Sequence, residues 1–271
     1  MPSVEVTGST VSYEITGSGP PLLLIHALGS DSTCYGMQLP DYGGSFTCVA
    51  VDLPGAGDSS PLDGGYATTD LADHMAGLLD ALGIDAAHVS GLSLGSAVAV
   101  HLAARHPQRV RSLTLNSTWA GPDPTMAVRL ANWQALARLL PTVADVLVLG
   151  VFPWCFTADM YTARAAEMGE IEGFVRGRPA QRPEDFIGHA EAAIGHDARA
   201  VLAAVTAPTL ITVGARDEVT PPRLAAEVHA GIPHSELVVF EGLGHAALNE
   251  GPAAFTAATL DFLARQAAAG S

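Results

Sequence analysis

The sequence predicts an α/β protein with a mainly parallel, eight-stranded sheet flanked by helices and a helical segment inserted after the sixth strand. Three observations predict this. Short apolar runs of the kind that suit strands buried on both faces alternate with stretches of helical periodicity. Turn residues separate them at the pitch of βαβ units, which implies right-handed crossovers and a parallel sheet. The alternation stops after Asn116 and resumes only near residue 209.

The opening segment alternates Val4, Val6, Val11, Tyr13 and Ile15 around Gly8 and Ser9, which predicts an antiparallel hairpin. After the turn at 17–21, the apolar run 22–25 predicts a buried strand. A second, 47–51, ends in Asp52 and the glycine-rich loop 53–59. Residues 68–82 place Leu71, Met75, Leu78, Leu79 and Leu82 at helical spacing, with Asp70 near the start and Gly83 just past the end. Strand 88–92, helix 94–105 and strand 110–115 follow. From 121 to about 199 no strand pattern occurs, while 126–140 and 183–193 read as helices. This stretch is expected to form a helical cap (lid), so that a core of 1–120 and 201–271 surrounds an insertion of 121–200. The rhythm returns with strand 209–213, helix 222–229, strand 236–240 and helix 252–266, with Pro222 and Pro252 where a first-turn proline is tolerated. The small-residue tail after Gln266 is expected to fray.

Composition supplies the material and excludes several functions. Of the 271 residues 48% are hydrophobic and only 15% charged, enough apolar surface to bury a sheet on both faces. The net charge is -15 and every basic residue is an arginine. Nucleic acid and anionic membranes are therefore not expected partners, because both require clustered positive charge. Cys34, Cys48 and Cys155 are odd in number, scattered and free of CxxC spacing, which predicts neither a disulfide framework nor a zinc site. No basic region followed by an apolar run opens the chain, so no secretory signal is expected. The apolar run 143–156 contains Asp145 and Pro153 and falls short of the roughly 20 residues of a membrane span. The glycines of Gly55-Ala56-Gly57 lack dinucleotide spacing, and neither a P-loop nor HExxH occurs. The expectation is a cytoplasmic monomer or homodimer that acts on a small molecule without metal or cofactor.

Gly91-Leu92-Ser93-Leu94-Gly95 lies between a predicted buried strand and a helix, the context a nucleophile elbow needs. There the serine hydroxyl projects above the sheet, and the helix amino end favours negative charge beside it. A hydroxyl needs a base, and the base needs a third group to fix its tautomer. His245, on the loop after the last strand, is the expected base, and Asp217, on the loop after strand 209–213, is the expected orienting acid. A rival acid would sit just after strand 110–115, but that position holds Asn116 and Asp123 is further along, and Glu218 is expected to point elsewhere. His74, His106, His189, His196, His229 and His234 read as solvated or capping side chains. The oxyanion requires two backbone N–H donors, assigned to Leu94 and Leu28.

With His26-Ala27, the Asp-x-x-Gly-x-Gly-x-Ser loop 52–59, the Gly91–Gly95 elbow, the Gly-x-x-Asp-x-x-x-Pro segment 214–221 and Gly244-His245 in register, the chain resembles the α/β-hydrolase superfamily over essentially its full length. One departure is Ala27, where glycine is usual. The segments 26–31 and 90–104 look most like 3-oxoadipate enol-lactonases and related actinobacterial esterases. The resemblance implies an α/β-hydrolase fold and a serine hydrolase acting on an ester or lactone through an acyl-enzyme. Carbon–carbon bond hydrolases, lyases and natural-product cyclases of similar sequence would use the same site, and a triad-retaining ligand receptor is a further alternative. The cap is expected to set the substrate, with two or three of Trp119, Met126, Trp133, Phe152, Trp154, Phe156 and Tyr161 lining an apolar pocket. Arg129, Arg164, Arg176, Arg178 and Arg182 are candidates to bind a substrate carboxylate.

Overall fold

Each of the eight predicted runs becomes a strand of one sheet in the computed structural model, which describes residues 1–179 and 181–269. The strands are β1 (Ser3–Val6), β2 (Ser9–Thr16), β3 (Pro21–Ile25), β4 (Thr47–Val51), β5 (Ala87–Leu92), β6 (Val110–Asn116), β7 (Thr209–Gly214) and β8 (Glu236–Phe240). Their order is β1-β2-β4-β3-β5-β6-β7-β8. The first hairpin and the β2–β4 pair are antiparallel, and every pairing from β4 to β8 is parallel.

The period-2 geometry of a strand sorts the core into two layers. Leu23 and Ile25 of β3 point to one face, where Leu71, Met75 and Leu78 of the helix Thr68–Ala81 and Val98 and Leu102 of the helix Leu94–Arg105 cover them. Leu22 and Leu24 point to the other, against Tyr42, Phe46, Phe255 and Phe262. Burying each such side chain stabilises the fold by roughly 2 kcal/mol before entropy is counted.

The segment between β6 and β7 is helical among its described residues. Pro124–Leu139 packs against Pro183–Gly195, and Ala165–Gly177 lies between them in sequence. The first starts two residues earlier than the apolar spacing predicts, because the Asp123 carboxylate caps it by accepting from the Thr125 and Met126 amides. Ala165–Gly177 went unpredicted because it buries only Met168 and Val175, too few positions for a periodic stripe. The apolar run 143–156 is broken into Val143–Val146, a π-helical turn at Leu147–Val151 and Phe152–Cys155. The final helix, Pro252–Ala269, runs past Gln266; the end of the tail expected to fray, residues 270 and 271, lies outside the described residues. Among the described residues no helix is long and apolar enough to cross a membrane.

Candidate active site

β5 ends at Leu92 and the next helix starts at Leu94, so Ser93 alone makes the turn, at φ 50° and ψ −115°. That conformation costs a non-glycine residue on the order of 1 kcal/mol or more, so the surroundings must impose it. Two glycines make the turn possible. A Cβ on Gly91 would sit 2.2 Å from the Gly95 carbonyl oxygen, and a Cβ on Gly95 would sit 2.2 Å from that of Ile25. The Ser93 N–H donates to the Asn116 carbonyl at 2.9 Å, and Ser96 Oγ donates to the Ser93 carbonyl at 2.7 Å. Asn116, at the end of β6, braces the elbow: its Nδ2 donates to the Gly91 carbonyl at 3.0 Å. Leu94 is the first helical residue, so its N–H has no intrahelical acceptor.

The parallel sheet brings the loops after β7 and β8 to the same edge as the elbow. Asp217 Oδ1 accepts from the Val219 and Thr220 amides, each at 2.8 Å. Its Oδ2 accepts from Thr220 Oγ1 at 2.9 Å and from His245 Nδ1 at 2.9 Å. Both side chains are buried. Ser117 Oγ donates to the His245 carbonyl at 2.9 Å, fixing the backbone on the other side of the imidazole.

Ser93, His245, Leu28 and Leu94 line one inner chamber of about 50 Å³ together with Trp119, Met126, Leu130, Trp133 and Val219. A more open outer chamber of about 150 Å³ shares Ala27, Leu28, Val151, Cys155 and His245 with it. Phe152, Phe156 and Phe174 wall the outer chamber, and Ser30, Thr33, Arg178 and Asn249 supply polar groups. Of the seven cap candidates, Trp119, Met126 and Trp133 thus face the inner space and Phe152 and Phe156 the outer, more than the two or three expected. Trp154 does not belong with them. It is 37% exposed, lines a separate surface groove with Tyr161 and Pro221, and carries the Arg129 guanidinium 4.6 Å above its ring. In the single turn Phe152–Cys155, residues 152, 155 and 156 share the inward face, which turns position 154 outward.

Other expectations need correction. His189 and His196, read as solvated or capping, are buried. His189 Nε2 donates to the Pro54 carbonyl at 2.8 Å, and burial holds its pKa down to about 4. His196 lies against Trp119 and His101, and burial followed by the His101 ring holds it to about 3. Of the five arginines offered as carboxylate ligands, Arg178 lines the outer chamber. Arg129 covers Trp154, Arg164 pairs with Glu167, Arg176 with Asp145 and Arg182 with Asp185.

Glu250 escaped the sequence reading. Its buried carboxylate accepts from the Gly244 amide at 2.8 Å and from the Thr157 amide, so it ties the His245 loop to the helical insertion. The Ala246 amide adds a bond to the Cys155 carbonyl at 3.0 Å. The only signal was position: an acid five residues after the expected base, ahead of a Gly-Pro break.

The sequence pattern of the α/β-hydrolase fold family matches residues 20–252. The chain is 32% identical over 244 residues to the pimeloyl-[acyl-carrier protein] methyl ester esterase of Neisseria meningitidis, covering 89% of this chain and 91% of that one. It is 32% identical over 277 residues to the 2-hydroxymuconate semialdehyde hydrolase of Pseudomonas sp. (strain CF600), covering 97% and 93%. Among solved structures, the enol-lactonase of Burkholderia xenovorans superposes with a TM-score of 0.87 at 28% identity, over 97% of this chain and 100% of the other.

Proposed function

Because the chain belongs to the α/β-hydrolase fold family and is an enzyme of the hydrolase class, we propose that it cleaves a carboxylic ester or lactone with a small, largely apolar acyl group. One observation carries the proposal. His245, paired with Asp217 at 2.9 Å, lines the same small chamber as Ser93 at its strained turn and as Leu28 and Leu94.

In this reading Ser93 Oγ attacks the substrate carbonyl carbon while His245 Nε2 takes the hydroxyl proton. Asp217 keeps the other ring nitrogen protonated and pointed away from the serine. The negative charge on the former carbonyl oxygen meets the Leu28 and Leu94 N–H groups, a preorganised pair for which loss of one donor costs about a hundredfold or more in rate. Collapse expels the alcohol, which receives the proton from His245 and leaves an acyl-serine. Water, deprotonated by the same imidazole, then releases the acid and restores Ser93. The helices 124–195 act as a cap, and the apolar walls of the inner chamber favour a hydrocarbon acyl group.

The experiment is Ser93→Ala assayed with p-nitrophenyl butyrate, with circular dichroism to check the fold. Turnover is expected to fall to background with an unchanged spectrum, and undiminished turnover in the folded variant would sink the assignment. A second reading, hydrolysis of a carbon–carbon bond at the same site, draws on the likeness to the semialdehyde hydrolase. Parallel assays on a vinylogous diketone and on simple esters separate the two.

A further inference from the structure

We infer that the Arg178–Asp31 ion pair is a clip that fastens the helical insertion to the loop carrying the Leu28 amide, which makes Arg178 and Asp31 positioning residues for the oxyanion. The inference rests on the ester-hydrolase reading, since the amide's position matters only where a carbonyl oxygen is polarised.

The loop after β3 is hydrogen-bonded to the core at its two ends, while at its tip the buried Gly29 lies against Leu147 and Phe186 of the helical insertion. At one end His26 Nε2 accepts from the Leu53 N–H at 3.0 Å. At the other, the Ser32 N–H donates to Asp52 Oδ1 at 2.7 Å. Between them the Ser30 N–H donates to the Ala27 carbonyl at 3.1 Å, which folds Leu28 and Gly29 into the tip of a turn, with Gly29 at φ +72°. Among the described residues, the hydrogen bonds that reach this tip from the insertion come from Arg178. Its Nη1 donates to Asp31 Oδ2 at 2.8 Å and its Nη2 to the Gly29 carbonyl at 3.3 Å.

Burial and position separate this pair from the surface ion pairs. Arg178 and Asp31 are each 14% exposed, against 45% and 42% for Arg105–Asp73 and 51% and 46% for Arg199–Asp197. Solvent and salt therefore screen it less. Burial would raise the Asp31 pKa, yet the Arg178 charge and the Thr33 hydrogen bond hold it below the usual carboxylate range, so the partner stays charged. Finally, Arg178 directly follows Ala165–Gly177, the helix that places Ile171, Phe174 and Val175 in the outer chamber wall. One guanidinium thereby fixes both a wall of the substrate space and the tip bearing the amide.

A substrate-reading role fits less well. Both terminal nitrogens of Arg178 are already engaged and its charge is matched by Asp31, leaving only a buried, unpartnered Nε. A carboxylate would have to displace Asp31 to gain a bidentate grip.

The test uses Arg178→Ala, Arg178→Lys and Asp31→Asn in the full chain, with uncharged p-nitrophenyl butyrate and the monoanionic p-nitrophenyl glutarate. Arg178→Ala and Asp31→Asn are expected to lower kcat about tenfold or more on both esters with KM within about twofold, because a small misplacement of a catalytic donor acts mainly on the transition state. Arg178→Lys should recover part of the loss, and the Arg178→Ala, Asp31→Asn double variant should be no worse than the poorer single one. An unchanged kcat, or a loss confined to the glutarate ester, would overturn the inference. Hydrogen exchange of residues 27–35 gives a readout independent of turnover, and faster exchange in all three variants is expected. Unchanged exchange removes the clip even if the chain hydrolyses no ester, whereas a wild-type chain inert to both esters removes the ester-hydrolase reading and leaves exchange to decide the clip.

Discussion

His245 Nδ1 faces Asp217 Oδ2 at 2.9 Å, and Thr220 Oγ1 touches both, at 2.9 Å from the carboxylate oxygen and 3.1 Å from the ring nitrogen. Because Asp217 is also held by two backbone amides, it cannot swing away from the imidazole. Asp217→Asn keeps the shape but presents an N–H where an acceptor is needed, which favours the wrong imidazole tautomer. A kcat loss of about ten-thousandfold is expected with KM little changed. Steady-state kinetics on p-nitrophenyl butyrate measure it, and a loss below tenfold would remove Asp217 from the role.

Glu250 offers a second target on the same loop. Each of its carboxylate oxygens accepts a different backbone N–H, from Gly244 and from Thr157. Glu250→Gln must turn its NH2 group toward one of those donors, leaving a buried amide unsatisfied at a cost of about 1–3 kcal/mol. Urea unfolding should show that loss, and kcat should fall with it because Gly244 adjoins His245. A variant with unaltered midpoint and turnover would mean the tie is idle.

How legible these features were in the sequence follows from how local their causes are. The elbow was readable because Gly91 and Gly95 are demanded by carbonyls 2.2 Å from where a Cβ would stand, and no other residue type fits. β3 and β7 were readable because strands buried on both faces leave short apolar runs, and the opening hairpin because its apolar residues alternate. Asp217 and His245 could be paired because parallel strands deliver their following loops to one edge. Trp154 was misplaced because a four-residue helix has no period from which to infer its inward face. His189 and His196 were misread because a histidine satisfied by buried carbonyls has the same letter as a solvated one. Glu250, Arg178 and Asp31 act by joining segments far apart in the chain, which spacing cannot reveal.

The inner chamber predicts acyl selectivity. Leu130 is 2% exposed and lines the same chamber as Ser93. Leu130→Ala should lengthen the preferred acyl chain across the p-nitrophenyl acetate-to-octanoate series, while lowering stability by about 2–5 kcal/mol for the cavity it leaves. If the preferred length stays put although stability falls, the acyl group does not occupy that chamber.

Three buried histidines predict the acid side of the stability curve. Burial, with Arg111 nearby, holds His88 to about 4; burial holds His189 to about 4 and His196 to about 3, all from an unfolded value of 6.5. Above pH 6.5 all three are neutral whether the chain is folded or not, and their contribution to stability is complete. As pH falls below 6.5 the unfolded chain binds protons that the folded one refuses, so stability drops until the folded values near 4 and 3 are reached. Each pH unit crossed removes up to about 1.4 kcal/mol for every histidine so held, less where solvent reaches the ring. His189→Gln removes one of these groups. It should therefore start less stable at pH 7.5, having lost the bond to the Pro54 carbonyl, yet lose less between pH 6.5 and 4 than the parent. Thermal midpoints across that range test the sign, and parallel curves for variant and parent would show that His189 carries no share of the acid sensitivity.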